Sequence, residues 1–304
     1  MTPGTTPDYL PFEDGPFRMA MGLQSLAVAD WIEIDGHYAA DMALRRRLLA
    51  DRHADVHVVR DEALPAAREV LERLAGFLPM RFPRHFGIEG GRLVNRVTGE
   101  AWNPADPGPP PLEVAGRLVQ EDLCLLVENE GVPVLAGGLL CFPNRWRLAA
   151  KVGLPLAAVH GPVALYADRL ARPVDRFITH LKPERPVWRL NWSLHDDPAP
   201  FQPEAAASAD GTAPVTPLDA GGRLFLRVER QTLSRLPRTG AVLFTIRTYI
   251  RPLGDLAGRP ADAARFAATL RGLPDEVARY KGLASFRNAA VEWLDRMAGA
   301  EAPA

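Results

Sequence analysis

The sequence is poor in cysteine and has no long apolar run. Only Cys124 and Cys141 occur among its 304 residues, and they do not form a CxxC pair. We interpret both as free thiols in a reducing compartment, because a disulfide framework would need more cysteines. No stretch approaches about 18 uninterrupted apolar residues, and the N-terminus lacks the basic and apolar regions of an export signal. These absences predict a cytoplasmic protein that does not span a membrane.

The sequence also lacks an excess of charge and the common nucleotide and hydrolase motifs. Its formal net charge is -1, with basic and acidic residues interspersed, so we do not expect a nucleic acid partner. The absence of GxGxxG, GxxxxGKS/T, HExxH and GxSxG argues against a self-contained nicotinamide enzyme. All basic residues except Lys151, Lys182 and Lys281 are arginine. We therefore argue only from arginines that a pattern places on a buried face.

The composition is that of a folded protein, with 47% hydrophobic and 24% charged residues. Apolar residues at helical spacing predict helices over 37–52 and 61–79, the second ending at Pro79, and a short third helix near Leu112. Residues 262–297 predict two C-terminal helices. We place the break between those two at Pro274. In the middle of the chain, a helical turn is predicted over 146–153 and a helix that ends near Leu181.

Strands are predicted between these helices. They comprise a small hairpin within 87–100, a hairpin of strands near 122–128 and 132–142, and strands over 187–194, 223–229 and 240–250. The Pro, Ala, Asp and Ser-rich residues 196–222 predict a mobile surface loop or lid. Because the strands do not alternate one-for-one with helices, we expect an α+β fold with an antiparallel sheet. It would be a single domain, with helices over about 1–80 and 260–300 around a sheet core over about 85–255.

Two predicted strands carry polar residues on one face. Strict alternation puts Arg189 and Asn191 on one side of the first strand, and Arg227 and Glu229 on one side of the second. If the strands share a sheet, these four side chains line up. Charges are costly to bury unpaired, so the face is either solvated or a hydrogen-bonded ligand pocket. The large Trp192 on the opposite face favours helices covering both sides of the sheet.

Histidines supply two further candidate sites. His160 stands in the apolar segment LPLAAVHGPV, where it is either a satisfied core residue or an axial ligand of a haem iron. His53 and His57 are spaced so that one helix face would present two metal ligands. The alternative for that pair is a solvated turn.

An arginine-rich run follows the second polar strand. Glu229, Arg230, Gln231, Arg235 and Arg238 are interpreted as a short turn before an apolar strand. The arginines would bind an anion, or would polarise a small ligand while the glutamate receives a cation. The spacing alone does not choose between these functions.

Several short motifs, taken together, are specific. They are NRVTGE at 95–100, CFPNRWRLAAKVG at 141–153, VHGPV at 159–163, RLNW at 189–192, RVERQTLSRLPRTGAVLFTIRTY at 227–249 and YKG at 280–282. The combination resembles the haem-dependent oxidative N-demethylase family, in particular its haem-binding α subunit, over most of the chain. One departure is Ala164, where the resemblance leads us to expect a second proline.

The resemblance implies a PAS-like antiparallel sheet with flanking helices that holds one b-type haem. It implies oxidative demethylation of a small secondary amine, dimethylamine, to methylamine and formaldehyde. It also implies a separate reductase partner that carries FMN and a [2Fe-2S] cluster and takes electrons from NADPH. The missing nucleotide motif agrees with that division.

The resemblance also implies roles for particular residues. His160 becomes the proximal ligand, which makes it the metal and cofactor residue of the site. Arg227, Glu229 and Arg238 become the catalytic candidates, in which the carboxylate holds the amine and arginine polarises dioxygen.

Arg189 and Trp192 become cofactor-binding candidates for haem propionate or pocket contacts. Cys141 is the rival iron ligand, with a buried packing role as its alternative. Two other functions stay open for the chain as a whole. One is a haem-binding sensor or ligand-binding module without turnover, and the other is a haem-free anion-binding protein.

Overall fold

The computed structural model describes residues 7–12, 15–204 and 213–299. Within them the strands are β1 (Gln24–Ser25), β2 (His57–Val59), β3 (Phe86–Glu89), β4 (Arg92–Asn95), β5 (Ala101–Trp102), β6 (Asp122–Asn129), β7 (Val132–Leu139), β8 (Val187–His195), β9 (Phe225–Arg235) and β10 (Val242–Pro252). The α-helices are α1 (Tyr38–Asp51), α2 (His53–Val56), α3 (Leu64–Arg81), α4 (Pro111–Gly116), α5 (Leu156–Val159), α6 (Tyr166–Arg169), α7 (Ala171–His180), α8 (Ala220–Arg223), α9 (Pro260–Gly272), α10 (Asp275–Tyr280) and α11 (Arg287–Gly299).

The strands form one large sheet and one small one. The large sheet has the order β1-β8-β9-β10-β6-β7-β2, and the small sheet has the order β3-β4-β5. Every pairing between these strands is antiparallel. The mixture of helices with antiparallel strands makes the fold α+β, as the order of elements along the chain predicts.

Both faces of the large sheet are covered, as Trp192 on the face opposite the polar residues predicts. On one face, Leu125 and Leu243 pack with α1, α3 and α4. On the same face towards the other end, Leu226 and Val228 pack with the C-terminal helices. The opposite face carries a third apolar cluster, in which Ile246 and its neighbours pack beneath α5 and α7. The segment between β7 and β8, residues 140–186, therefore covers that face, and it contains His160. We call residues 140–186 the lid segment; it is distinct from the predicted loop over 196–222.

The hairpin of β6 and β7 shows how local sequence fixes a turn. Glu130 and Gly131 have φ values of 51° and 79°, which is the left-handed region that a two-residue hairpin loop needs. Glycine adopts that conformation without strain, and the Asn129-Glu130-Gly131 signal predicted the turn. The strand that follows ends at Leu139, short of the predicted 142.

The structure corrects several predicted element boundaries. The run from Glu229 to Arg235 is not a turn but the second half of β9, because Gln231, Thr232 and Leu233 all pair across to β8 and β10. The chain turns only after it, over 236–241. The C-terminal region contains three helices, not two, because a second break follows α10 over 281–286. The helical turn predicted within 146–153 is present, because the N–H of Val152 donates to Leu148 O at 3.0 Å. The helix α3 continues past Pro79 to Arg81.

The segment predicted as a loop or lid, 196–222, is only partly described. Residues 205–212 lie outside the described residues. In the part that is described, Gln202 forms a bridge with Asn144, and the backbone N–H of Arg145 donates to Gln202 O at 2.7 Å. This portion of the segment is therefore held against the chain that follows β7. No helix in the described ranges is long and apolar enough to cross a membrane.

Candidate functional site

The register of β8 and β9 brings the polar side chains of the two strands together. Asn191 pairs with Glu229, Ser193 with Arg227, and Arg189 with Gln231. Directly paired residues of antiparallel strands project from the same face, so these side chains form one cluster. The predicted alignment of Arg189, Asn191, Arg227 and Glu229 is confirmed. The face is the one that lies beneath the segment containing His160.

Glu229 is the centre of this cluster. Its residue is 6% exposed. Its Oε2 accepts hydrogen bonds from Asn191 Nδ2 at 3.2 Å and from Gln231 Nε2 at 2.9 Å, and its Oε1 lies 3.7 Å from Arg227 Nε. A buried carboxylate needs such donors, because desolvation without them is costly. The two amides therefore fix the orientation of the carboxylate.

Arg227 is fully buried and spends most of its donors on the backbone. Nη2 donates to Phe142 O at 2.5 Å, and Nη1 donates to Pro200 O at 3.1 Å. Burial lowers its pKa, and the neighbouring Glu229 and Asp122 carboxylates oppose that effect. Arg227 therefore ties the lid segment and the chain after β8 to the floor of the site, while its positive charge stays beside Glu229.

Arg189, like Arg227, has a buried Nε without a hydrogen-bond partner among the described residues. Burial lowers the pKa of Arg189, and Glu229 opposes the shift. A buried guanidinium without a full set of acceptors is suited to an anionic group of a ligand, because Arg presents a planar set of donors that matches a carboxylate.

His160 faces this cluster from the lid segment. It follows α5, and its Nδ1 lies 2.9 Å from Leu156 O, while its ring stacks on Tyr166 with centroids 4.5 Å apart. Nδ1 must carry the proton to donate to a carbonyl, so Nε2 holds the lone pair. No described residue hydrogen-bonds to Nε2. Burial lowers the pKa of His160, the bond to Leu156 opposes this, and nearby Lys151 and Arg189 lower it further.

No pattern in the sequence assigns a role to Lys281, yet the structure brings its side chain to the cluster. Its Nζ donates to Trp192 O at 2.5 Å and lies 4.6 Å from the centre of the Trp192 ring. Part of the side chain reaches the surface, while the ammonium is surrounded by protein atoms. Burial lowers its pKa to about 8, with Arg189 adding to the shift and Glu229 opposing it. Its rarity as one of three lysines, within the YKG motif, was the available signal.

Ser193 and His195 extend the polar face beyond Arg227. Ser193 Oγ lies 2.7 Å from His195 Nε2 and accepts a hydrogen bond from Asn144 Nδ2 at 3.1 Å. Burial, with Arg145 and Arg227 nearby, lowers the pKa of His195 to about 3, so its ring is neutral at physiological pH. Sequence patterns did not single out either residue, because a strand-end serine and histidine carry no distinctive spacing.

Three predicted residues lie elsewhere. The Trp192 ring projects from the opposite face of the sheet and packs edge-on against Phe12 and Phe266. Of the cluster, Trp192 meets the Lys281 ammonium, through its carbonyl and through its ring. Arg238 lies in the turn after β9, where its 61% exposed side chain pairs with Glu72 on α3. Cys141 belongs to the core beneath the N-terminal helices, and burial raises the pKa of its thiol to about 12.

The second pair of histidines remains apart from this cluster. The His53 and His57 rings lie 5.1 Å apart, and His53 Nε2 lies 2.9 Å from Glu113 Oε2. Glu113 also accepts two bonds from Arg117, which compensates its charge. Among the described residues no group of three or more His, Cys, Asp or Glu is arranged to hold a metal ion.

The arrangement around His160 fits a haem. A fixed imidazole with a free Nε2 can bind an iron from one side. An apolar cluster of β6, β10, α5 and α7 lies on the same face of the sheet, and the unpartnered Nε of Arg189 suits a propionate. Two surface concavities lie elsewhere, one beside Trp146 and the other beside Leu64 and Arg238, and neither brings these groups together.

Fold and site thus define an α+β protein with a buried polar cluster opposite a single oriented histidine. The family model described as haem-dependent oxidative N-demethylase, alpha subunit-like, matches residues 22–291. This chain belongs to that family. The match extends through the large sheet and the lid segment and ends within the first half of α11.

Proposed function

We propose that this protein is the haem-binding oxygenase subunit of an oxidative N-demethylase that acts on a small secondary amine such as dimethylamine. The observation that carries the proposal is the His160 imidazole, oriented by Leu156 O, facing the buried cluster of Arg189 and Glu229. Family membership supports the haem and the class of reaction. The substrate, the b type of haem and the reductase with NADPH, FMN and [2Fe-2S] are parts of the proposal.

The reaction balances with dioxygen and an external pair of electrons. One oxygen atom enters a methyl group of the amine and the other leaves as water, with two protons consumed. The hydroxylated methyl carbon then separates as formaldehyde and leaves the demethylated amine. A bound haem would supply the activation of dioxygen and the oxidation of the methyl carbon.

In this proposal the residues of the chain bind, orient and hold charge. His160 Nε2 would bind the iron, and Arg189 would pair with a propionate. The Glu229 carboxylate, held by Asn191 and Gln231, would receive the N–H groups of the amine. Arg227 keeps the lid segment closed on this floor through Phe142 O and Pro200 O. Arg238 has no part in it, because its guanidinium pairs with α3.

The His160 assignment is tested by spectroscopy of protein loaded with haem. We expect His160→Ala to change or abolish the Soret band, because it removes the iron ligand. His180→Ala is the matched control, since His180 also bonds the carbonyl four residues before it, but on an exposed part of α7. An unchanged Soret band in H160A would contradict the assignment and return Cys141 to consideration.

The Glu229 assignment is tested by titrating haem-loaded protein with dimethylammonium chloride. We expect Glu229→Gln to abolish the amine-induced spectral change while haem stays bound, because the amide cannot supply the negative charge. Glu128→Gln removes the same charge from an exposed position of β6 and should bind amine as the wild type does. Equal amine affinity in E229Q and the wild type would show that Glu229 is not the amine partner.

Turnover separates the enzyme from its alternatives. We expect formaldehyde release when the haem-loaded protein is supplied with NADPH, dioxygen, dimethylamine and a flavin and iron-sulfur reductase. A Soret band without formaldehyde release across small amines would favour a haem sensor or ligand-binding module. Absence of any haem binding would favour a haem-free anion-binding protein built on Arg189 and its neighbours.

A further inference from the structure

Lys281 is held at a fixed place at the end of α10. Its backbone N–H donates to Val277 O at 2.9 Å, and Arg145 Nη1 donates to its carbonyl at 3.1 Å. Gly282 has a φ of 67°, and a Cβ there would overlap the Arg145 guanidinium. The turn therefore requires glycine at this position. These contacts place the lysine side chain beside β8, where Nζ donates to the Trp192 carbonyl at 2.5 Å and lies 4.6 Å from the centre of the Trp192 ring.

The Lys281 ammonium has few partners for a buried cation. Its one hydrogen-bond acceptor among the described residues is Trp192 O, and an ammonium has three N–H groups. The face of the Trp192 ring offers a further attraction. Of the surrounding charges, Glu229 attracts the ammonium and Arg189 repels it. The carboxylate that is proposed to bind the amine is therefore one of the groups that favour the charged form of Lys281, beside the Trp192 carbonyl and ring.

A cationic amine bound at Glu229 would compete with the Lys281 ammonium for the attraction of this carboxylate. Arg227 and Arg189 already stand beside the carboxylate, and a guanidinium does not lose its proton in a protein. A bound ammonium would add another positive charge in a region largely closed to water, where like charges repel more strongly than in solution. Lys281 is the cation of this group that can become neutral.

We propose that binding of a cationic amine beside Glu229 releases a proton from Lys281 Nζ to solvent, so that Lys281 is a positioning residue that links amine affinity to pH. The inference rests on the proposed function, because it takes Glu229 as the amine partner. An N–H bond of the Lys281 ammonium breaks, Nζ keeps the electron pair, and the buffer takes up the proton. The bound amine keeps its own protons.

The other titratable groups around Lys281 have pKa values outside the range near pH 8. Burial lowers the pKa of Lys281 to about 8, whereas it lowers that of His195 to about 3 and raises that of Tyr280. Arg145 and Arg189 remain guanidinium ions, although burial lowers the pKa of both. A bound cation disfavours the charged lysine, so binding lowers the pKa of Lys281 further. Amine affinity should then rise with pH up to about 8 and level off above it.

The test measures binding of dimethylammonium chloride to haem-loaded protein between about pH 6 and pH 9, from the spectral change and by calorimetry. We expect the wild-type affinity to rise by up to about tenfold per pH unit below pH 8, because one proton leaves on binding. Calorimetry in two buffers of different ionisation enthalpy should show release of up to one proton near pH 7.

Substitutions of Lys281 distinguish the proposed coupling between amine binding and proton release from a purely structural role of the lysine. Lys281→Met should bind the amine more tightly than the wild type at low pH, with a flat profile, whereas Lys281→Arg should bind weakly and release no proton. Lys182→Met, at an exposed lysine, should keep the wild-type profile. Any pH dependence left in K281M would come from other groups, such as Glu121 on the far side of the sheet, whose pKa burial raises to about 7.

Two outcomes would overturn the inference and leave the proposed function intact. One is amine binding by the wild type without proton release in calorimetry, which needs no variant and so does not depend on whether one folds. The other is a K281M profile that keeps the wild-type slope. If no amine changes the wild-type spectrum at any pH, the proposed function fails first and the inference fails with it.

Discussion

Burial separates the arginines of this chain into different kinds, although the sequence makes them look alike. Arg45 and Arg227 are fully buried, whereas Arg238 is 61% exposed. Arg45 donates to the carbonyls of Gly116 and Glu121 and forms a 2.8 Å ion pair with Asp122. Such a residue organises the core, while an exposed arginine contributes little to stability.

This difference predicts a large effect at Arg45. We expect Arg45→Met to destabilise the protein by about 3–5 kcal/mol, because it leaves the Asp122 carboxylate and several carbonyls buried without their partner. Arg52→Ala is the control on the same side of the molecule: it breaks an exposed pair with Asp55 and should cost about 1 kcal/mol or less. Urea unfolding followed by circular dichroism measures both. Equal losses of unfolding free energy in the two variants would contradict the distinction between buried and exposed arginines.

The same residue-scale distinction explains why the sequence motif suggested Arg238, whose side chain lies away from the cluster, and did not suggest Lys281, whose side chain lies beside it. Arg238 lies in a conspicuous arginine-rich motif, but its side chain meets Glu69 and Glu72 of α3. Lys281 is far along the chain from Glu229, and no local spacing links the two. Contacts between residues distant in sequence depend on packing, which periodicity does not report.

At the scale of elements, β9 joins the site to the N-terminal helices. Its first half carries Arg227 and Glu229, and the turn at its end is held by Glu69 of α3. The carboxylate of Glu69 accepts bonds from the N–H groups of Arg238 at 3.0 Å and Thr239 at 2.9 Å, and from Thr239 Oγ1 at 2.8 Å. The β9–β10 hairpin is therefore fixed to a helix at the end remote from the site.

The Glu69 contacts predict a pH-dependent contribution to stability. Burial acts to raise the pKa of Glu69, but the bonds from Arg238 and Thr239 outweigh it and hold the pKa below its ordinary value. A lowered folded-state pKa stabilises the protein above about pH 4.5, and this stabilisation is lost as pH falls through the folded-state pKa. Glu69→Gln should cost about 1–3 kcal/mol at pH 7.

The measurement for Glu69 is urea unfolding of both proteins at several pH values from 7 down to 3. The difference between the wild type and E69Q should narrow below about pH 4.5. Glu72→Gln is the neighbouring control, because Glu72 pairs only with the exposed side chain of Arg238 in the structure described and should cost less. A difference in unfolding free energy between the wild type and E69Q that stays constant with pH would refute the proposed dependence on the protonation of Glu69.

Element types were largely predictable, and pairings and boundaries were not. The strict alternation of 187–194 and the turn signal at Asn129-Glu130-Gly131 predicted strands that the structure contains. The run ERQTLSR, from Glu229 to Arg235, was misread as a turn because its polar residues resemble loop composition. In the sheet this run pairs with β10, and as far as Leu233 also with β8, which offsets the cost of burying its polar groups.

At the scale of the whole molecule, the site lies where the lid segment closes over the polar end of the sheet. Apolar clusters occupy both faces of that sheet. A ligand that enters between the lid and the sheet would bind only the folded chain, because the unfolded chain does not bring His160 and Arg189 together. Binding should therefore stabilise the fold by mass action.

This predicts that haem raises the thermal stability of the protein. At a free haem concentration about one hundred times the dissociation constant, the expected gain is about 2.7 kcal/mol. Differential scanning calorimetry with and without haem measures it, and H160A should gain less than H180A at the same haem concentration. The lack of any haem-dependent rise in the wild-type midpoint would contradict a specific site.

The sequence alone determined the α+β class, most strands and helices, and the family resemblance through its motifs, because these depend on local periodicity and on residues quoted in order. It also indicated His160 and the polar strand faces. Only the tertiary structure decided the register that sets Asn191 beside Glu229, the approach of Lys281 and the removal of Arg238 and the Trp192 ring from the cluster. These features depend on tertiary packing, because the position of each side chain is fixed by contacts with residues that are distant along the chain.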